Sequence, residues 1–142
     1  MQQLTCTLLV DDDQTTNYLN RMLLERLRVT DKLLVALNGQ EALNLVQEHC
    51  QHATPECPAL ILLDVKMPVM DGFQFLEAYA HLEHLAGLKA AIIIVMLTTS
   101  LHPQDVERVQ RFNIAGFLNK PLTEEKINGI LTNHFHRHLP GH

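Results

Sequence analysis

Leu60-Ile61-Leu62-Leu63-Asp64-Val65-Lys66-Met67-Pro68-Val69-Met70-Asp71-Gly72 is an apolar run that stops abruptly on a carboxylate, Asp64. Four consecutive aliphatic residues, Leu60 to Leu63, predict a strand buried on both faces, because a strand with one face in water alternates apolar and polar positions. Asp64 therefore closes a central strand at its carboxyl end. In an open parallel sheet that edge collects ligands and chemistry, since loops there rest on a rigid scaffold and flanking helices aim their N-termini at it. Pro68 and Gly72 break the strand ahead of a new helix. An aspartate so placed serves as a nucleophile, a metal ligand or a helix cap, and the rest of the chain has to decide among the three.

Upstream, Thr5 to Val10 predict a first strand that ends on Asp11-Asp12-Asp13. Leu19, Met22, Leu23 and Leu27 then recur at helical spacing as one apolar stripe, with Asp13 placed to cap that helix. Leu33 to Ala36 predict a short second strand, and Asn38-Gly39 turns the chain into a helix carrying Ala42, Leu43, Val46 and Cys50 on one side. The polar stretch from His49 to Glu56 predicts a surface loop longer than most. Downstream, Asp71-Gly72-Phe73-Gln74 has the form of a capping box for a helix running to about His84. Ala91 to Leu97 predict a fourth strand without alternation, ending on Thr98-Thr99-Ser100. Pro103 opens a helix with Val106 and Val109 inward, closed by Asn113 to Gly116. Ile114 to Leu118 predict a fifth strand ending at Asn119-Lys120-Pro121. Thr123, with Glu124 and Glu125 in the first turn, starts a last helix whose buried stripe is Ile127, Ile130 and Leu131.

Five strands alternating with five helices predict an α/β fold: a doubly wound, five-stranded parallel sheet in three α/β/α layers, flavodoxin-like, with strand order 2-1-3-4-5. At 142 residues the expectation is one domain, with a core over about residues 5–136 and a short tail at 137–142. A formal charge of −5, with no concentrated basic face, argues against nucleic acid as a direct partner. No apolar stretch reaches the roughly 20 residues that span a bilayer, no signal sequence opens the chain, and the expected compartment is the cytoplasm. Cys6, Cys50 and Cys57 match no zinc spacing and are expected to be free thiols. His49, Cys50, His52 and Cys57 lack a second ligand pair and read as exposed loop rather than metal site. His134, His136, His138 and His142 read as a frayed helix end or an engineered remnant, ahead of any metal site.

This fold brings the ends of the first, third, fourth and fifth strands to one edge, and with them Asp11, Asp12, Asp13, Asp64, Thr98 and Lys120. Two carboxylates at about 4 Å repel by about 1 kcal/mol in water and about 4 at an effective dielectric of 20, so gathered acids need a cation or must take up protons. Mg2+ held by oxygen ligands and water is the simplest remedy. Lys120 adds a compact charge suited to carboxylate or phosphate oxygen, and Thr98 a hydroxyl at the same rim. Phosphoryl transfer to a carboxylate needs an in-line nucleophile and relief for the equatorial oxygens, which this set could supply around Asp64. Each residue alone has a plainer reading: Asp13 as cap, Thr98 as turn residue, Lys120 as surface charge.

With Leu-Leu-Val-Asp-Asp-Asp at 8–13, Leu-Leu-Asp-Val-Lys-Met-Pro-Val-Met-Asp-Gly at 62–72, Leu-Thr-Thr-Ser at 97–100 and Asn-Lys-Pro at 119–121, the chain resembles the receiver domain of two-component response regulators over about residues 5–136. The resemblance implies a stand-alone receiver that accepts a phosphoryl group on Asp64, in a Mg2+-dependent reaction, from a sensor histidine kinase or phosphotransfer protein. It implies Asp11 and Asp12 as the acid pair organising Mg2+, Asp12 the more direct ligand, with Asp64 and the backbone carbonyl of Lys66 also at the metal. Thr98 and Lys120 would bind the phosphoryl oxygens, and the Lys120-Pro121 bond would be cis. Phe117, where the family often has Tyr, would be the aromatic switch partner of Thr98. It lacks the hydroxyl, and the plain alternative is a core residue. The helix from 103, the fifth strand and the last helix, spanning 103–136, would form the face that binds an effector protein or a second copy as a homodimer. The implied role is a phosphoacceptor taking part in its own phosphorylation and dephosphorylation, rather than an enzyme.

Two rivals remain. Asp11-Asp12-Asp13-Gln14-Thr15 also fits the nucleophile motif of haloacid-dehalogenase-type phosphohydrolases, with Asp11 as nucleophile and Asp13 as acid/base. That reading leaves Asp64-Val65-Lys66-Met67-Pro68 unexplained and finds only Glu124 and Glu125 for its later acid pair. A receiver that takes no phosphate and serves as a constitutive interaction module is opposed by the full residue set.

Overall fold

In the computed structural model, which describes residues 3–49, 58–82, 91–99, 102–112, 114–137 and 139, the chain alternates β1 (Leu4–Val10), α1 (Gln14–Leu27), β2 (Thr30–Ala36), α2 (Gly39–His49), β3 (Ala59–Asp64), α3 (Gly72–Ala80), β4 (Ile92–Thr98), α4 (Pro103–Val109), β5 (Gly116–Asn119) and α5 (Glu124–Phe135). The five strands form one parallel sheet in the order β2-β1-β3-β4-β5. Such a sheet is stable only when both faces are covered, and here they are. Ile61 and Leu63 of β3 face one core with Ala42, Val46, Phe73 and Leu76, from α2 and α3. Leu60 and Leu62 face the other, with Leu24 of α1 and Ile127, Ile130 and Leu131 of α5. The four-residue run that predicted a strand buried on both faces is divided between two cores.

The register fixes what lies at the carboxyl edge. Val10 pairs with Leu63, Leu63 with Met96 and Met96 with Phe117, making one row across the sheet. One residue further, Asp64 pairs with Leu97, and one beyond that Thr98 pairs with Asn119. Asp11, Asp64, Thr98 and Lys120 thus all lie within three residues beyond that row.

Caps explain most helix starts. The Asp71 side chain accepts the Gln74 N–H while the Gln74 side chain accepts the Asp71 N–H, the expected capping box. Thr123 caps α5 through Lys126 N, and Pro103 sits in the first turn of α4.

The differences from the sequence reading have local causes. β2 starts at Thr30 rather than Leu33, because exposed Asp31 and Lys32 are tolerated on an edge strand and read as loop. α3 ends at Ala80 rather than about His84, where His81 N–H turns back to Ala78 O; residues 83–90 lie outside the described set. α4 ends at Val109, Gly116 opens β5 instead of closing that helix, and the strand runs to Asn119.

The largest correction concerns α1. Leu19 and Met22 are 59% and 51% exposed, beside Tyr18, while Asn17, Asn20 and Leu24 are buried. The helix phase is set by its start, where Asp13 accepts Thr15 N and Asn17 reaches the carbonyl of Asp11, and those polar ties turn two apolar residues outward.

Cys6 is buried and in no disulfide among the described residues, while Cys50, His52 and Cys57 lie outside the described residues. His49 ends α2 beside Lys32 Nζ at 2.8 Å. His134 is in the last turn of α5 and His136 is its C-cap, with His138 and His142 outside the described residues. Among the described residues no helix is long and apolar enough to cross a membrane.

Candidate functional site

Asp11 is the most constrained residue of the sheet edge. Its N–H donates to Ala36 O at 3.1 Å, its carbonyl accepts Asn17 Nδ2 at 2.7 Å, its Oδ1 accepts Asp13 N–H at 2.9 Å and its Oδ2 accepts Lys120 Nζ at 2.6 Å. Each tie comes from a different place: β2, α1, the turn into α1 and the end of β5. The carboxylate is 5% exposed as a residue, and a buried charge of this kind is tolerated only when paired and hydrogen-bonded.

Lys120 approaches because its own N–H donates to Thr98 O at 2.8 Å, one step past the last β4–β5 pair, and its peptide bond to Pro121 is cis. Its ammonium lies 3.4 Å from Asp64 Oδ1, which also accepts Val65 N–H at 2.9 Å. Gly72 closes the other side. Its N–H bonds Val65 O, and a Cβ there would overlap the backbone carbonyl of Asp64. Glycine is required because the turn after β3 folds back onto the strand end.

Asp11, Asp12 and Asp64 each offer a carboxylate oxygen within 4.8 Å of the others. At that separation two ionised acids repel by about 3.5 kcal/mol at an effective dielectric of 20. Burial, and then the charge of Asp11, push the Asp64 carboxyl above its ordinary range, against the opposing pull of Lys120 and the Val65 N–H. For Lys120 burial alone would lower the ammonium's pKa. The hydrogen bond to Asp11 and the charges of Asp64 and Asp11 together outweigh it, and the net direction is upward. The Thr16 hydroxyl, then the Thr15 N–H, hold Asp13 below its ordinary value. Asp13 is accordingly the helix cap, its two oxygens taken by Thr15 N and Thr16 Oγ1.

These residues enclose a cavity of about 200 Å³ that Asp12, Lys66, Thr98 and Lys120 also line. Thr98 is buried there and Lys66 is exposed at the mouth. Three carboxylates facing one ammonium form a hard, oxygen-rich donor set with negative charge in excess, and such a set fits a small divalent cation with oxygen ligands. Phe117 lies apart from the cavity, half-buried against the core shared with Met96.

Three contributors were missed in the sequence. His102 and Asp105 line the same cavity from the start of α4. Asn17 holds the Asp11 carbonyl from inside α1, and the available signal was a pair of asparagines, Asn17 and Asn20, at helical spacing on what became the buried face.

Residues 7–132 match the family model described as the response regulator receiver domain. The probable methanogenesis regulatory protein FilR2 of Methanothrix harundinacea is 31% identical over 120 residues, covering 84% of this chain and 74% of that protein. The two-component response regulator ARR10 of Arabidopsis thaliana is 31% identical over 123 residues, 87% of this chain but only 20% of the relative. Among solved structures, the chemotaxis protein CheY4 of Vibrio cholerae superposes with a TM-score of 0.73 at 27% identity, over 92% of this chain and 98% of that one. The CheX-CheY-BeF3-Mg complex of Borrelia burgdorferi shares the fold at a TM-score of 0.74 and 21% identity, over 92% and 89% of the two chains.

Proposed function

The chain belongs to the response regulator receiver domain family of two-component signalling, and from that premise we propose that Asp64 is its phosphoacceptor. The observation that carries this is the convergence of Asp11, Asp12, Asp64, Thr98 and Lys120, from four strand ends, on one cavity. Val65 N–H and Lys120 both engage Asp64 Oδ1, orienting the carboxylate so that Oδ2 carries out the attack. The Oδ2–phosphorus bond forms in line as the bond from phosphorus to the donor nitrogen of a phosphohistidine breaks, the electron pair leaving with the imidazole. Lys120 and the Thr98 hydroxyl bind the transferred oxygens. A Mg2+ ion held by Asp11, Asp12, Asp64 and the Lys66 carbonyl would supply the charge neutralisation that the excess of carboxylates calls for.

Phosphorylation adds a charge of roughly −1.5 to −2 with strong acceptor oxygens, which draws Thr98 and Lys120 inward. Because Lys120 N–H is bonded to Thr98 O, the ends of β4 and β5 move together, and Phe117 lies on that strand. The face over 103–136 is thereby altered for an effector protein or a second copy of the chain. The phosphoryl donor is a sensor histidine kinase or a phosphotransfer protein.

The test is incubation with acetyl phosphate and Mg2+ followed by mass spectrometry that locates the adduct. The expected product is a single base-labile phosphoryl group on Asp64, absent in Asp64→Asn. An adduct on Asp11 with steady ester turnover would establish the phosphohydrolase instead, and no adduct without metal binding would establish an inert module.

A further inference from the structure

We infer that Asn17 is the positioning residue of the acid pair: its buried carboxamide clamps the peptide between Asp11 and Asp12 and so sets how well both carboxylates hold a divalent cation. The inference rests on the acidic cluster being a cation site, as proposed above, and goes beyond it in assigning a residue of α1 that touches neither metal nor phosphoryl group.

β1 ends at Val10, and although Asp11 N–H still reaches Ala36 O in β2, the Asp11 carbonyl has passed beyond the ladder. Its donor is Asn17 Nδ2 at 2.7 Å, from one turn into α1. That carbonyl belongs to the peptide whose nitrogen is that of Asp12. With it held, and with Asp11 Oδ1 on Asp13 N–H and Oδ2 on Lys120, the backbone orientation of both acids is fixed.

The Asn17 side chain sits where it does at a cost. It is 4% exposed, and its own Oδ1 makes no hydrogen bond among the described residues. Leucine would remove the unpaired Oδ1 but would take the donor from the Asp11 carbonyl. A buried polar group that costs stability while holding a reactive constellation in place is the signature of a site whose geometry matters more than its packing. The residue type is also restricted. Leucine and alanine have no donor, and ionised aspartate would set a further negative charge against a carbonyl oxygen.

The test compares wild type, Asn17→Leu and a half-buried control on the same helix, Leu27→Ala. Mn2+ binding is followed by the electron paramagnetic resonance signal of the free ion, with Mg2+ as competitor and urea midpoints measured in parallel. Loss of an outer partner of a metal ligand typically weakens affinity by about 10- to 100-fold, and at least a tenfold loss is expected in Asn17→Leu whatever its urea midpoint. Leu27→Ala should show a lower midpoint with unchanged affinity, which separates lost stability from lost binding. Asn17→Ala, which brings no bulk, stands in if leucine prevents folding. The backbone amide resonance of Asp12 should shift in the Asn17 variants and not in Leu27→Ala. Wild-type binding together with affinity within twofold of wild type in the Asn17 variants overturns the inference alone. No binding by the wild type overturns the cation-site reading and this inference with it.

Discussion

Lys120→Met removes the countercharge of the acidic edge while keeping most of the side chain's length and apolar stem. Lys120 Nζ is 2.6 Å from Asp11 Oδ2 and 3.4 Å from Asp64 Oδ1, with side chains only 16%, 7% and 13% exposed. At an effective dielectric of 20 those distances correspond to gross attractions of about 6 and about 5 kcal/mol. Most of this is offset by the desolvation of three charges, and breaking a buried pair from one side typically costs about 3–5 kcal/mol. Because burial and the charge of Asp11 already raise the Asp64 pKa, that carboxyl takes up a proton more readily than an ordinary one once Lys120 is gone, and the lower end applies, about 3 kcal/mol. For a chain of this length that is a fall in Tm of about 6–12 °C. The measurement is thermal and urea unfolding in EDTA, repeated with Mg2+ in large excess. A cation at a hundred times its dissociation constant stabilises by about 2.7 kcal/mol, and it should do more for Lys120→Met than for wild type, since the acids then lack any other countercharge. Lys120 has a raised pKa, so the stability it contributes is fully present below the ordinary lysine value and is lost only as pH rises through the higher native one. The deficit is therefore at full size at pH 7. If Lys120→Met melts with wild type in EDTA, or Mg2+ raises both equally, Lys120 does not neutralise this edge and the electrostatic account of the site fails.

Asp64→Asn should raise stability at pH 7 by on the order of 1 kcal/mol while abolishing the phosphoryl adduct. Since the native Asp64 pKa is raised, its favourable contribution exists only below the ordinary carboxylate value and is lost as pH rises through the native one, so the advantage seen in urea midpoints should shrink at pH 3.5. Gly72→Ala should destabilise by about 1–3 kcal/mol and slow phosphorylation by acetyl phosphate, because the new Cβ displaces the strand end that carries Asp64; a normal rate would count against the close approach as a positional constraint. Asp13→Ala should lower helix stability at pH 7 by circular dichroism, the deficit closing as pH falls through the lowered native pKa, and should leave the Asp64 adduct in place. Loss of all phosphoryl chemistry in that variant would favour the phosphohydrolase reading.

The strands at the centre of the sheet were readable because burial on two faces leaves no room for polar residues, and Leu60 to Leu63 and Ile92 to Leu97 show none. The start of β2 was not readable, since an edge strand admits Asp31 and Lys32 and then looks like loop. The site residues were readable from their position at strand ends, and Asp11, Asp12, Asp64, Thr98 and Lys120 do meet. What one dimension could not show is which partner each finds: Lys120 was expected near carboxylate or phosphate and lies closer to Asp11 than to Asp64. The face of α1 was misjudged because apolar spacing assumes that leucines point inward, whereas here hydrogen bonds at the helix start set the rotation and leave Leu19 and Met22 in water. His102 and Asp105 reach the cavity only through the path of the chain before α4, for which the sequence has no local code.

The row Val10, Leu63, Met96 and Phe117 lies immediately beneath the acidic edge, and its first three members are essentially without solvent contact. Close-packed interiors have very low compressibility, so a load applied at Asp64 cannot sink into this floor. It can only spread sideways, and the margins differ in stiffness. Toward β2 it meets an edge strand of seven residues, whereas toward β5 it meets an edge strand of only four. The two margins thus differ in length, and strain generated at the middle of the sheet is released more readily at the shorter one.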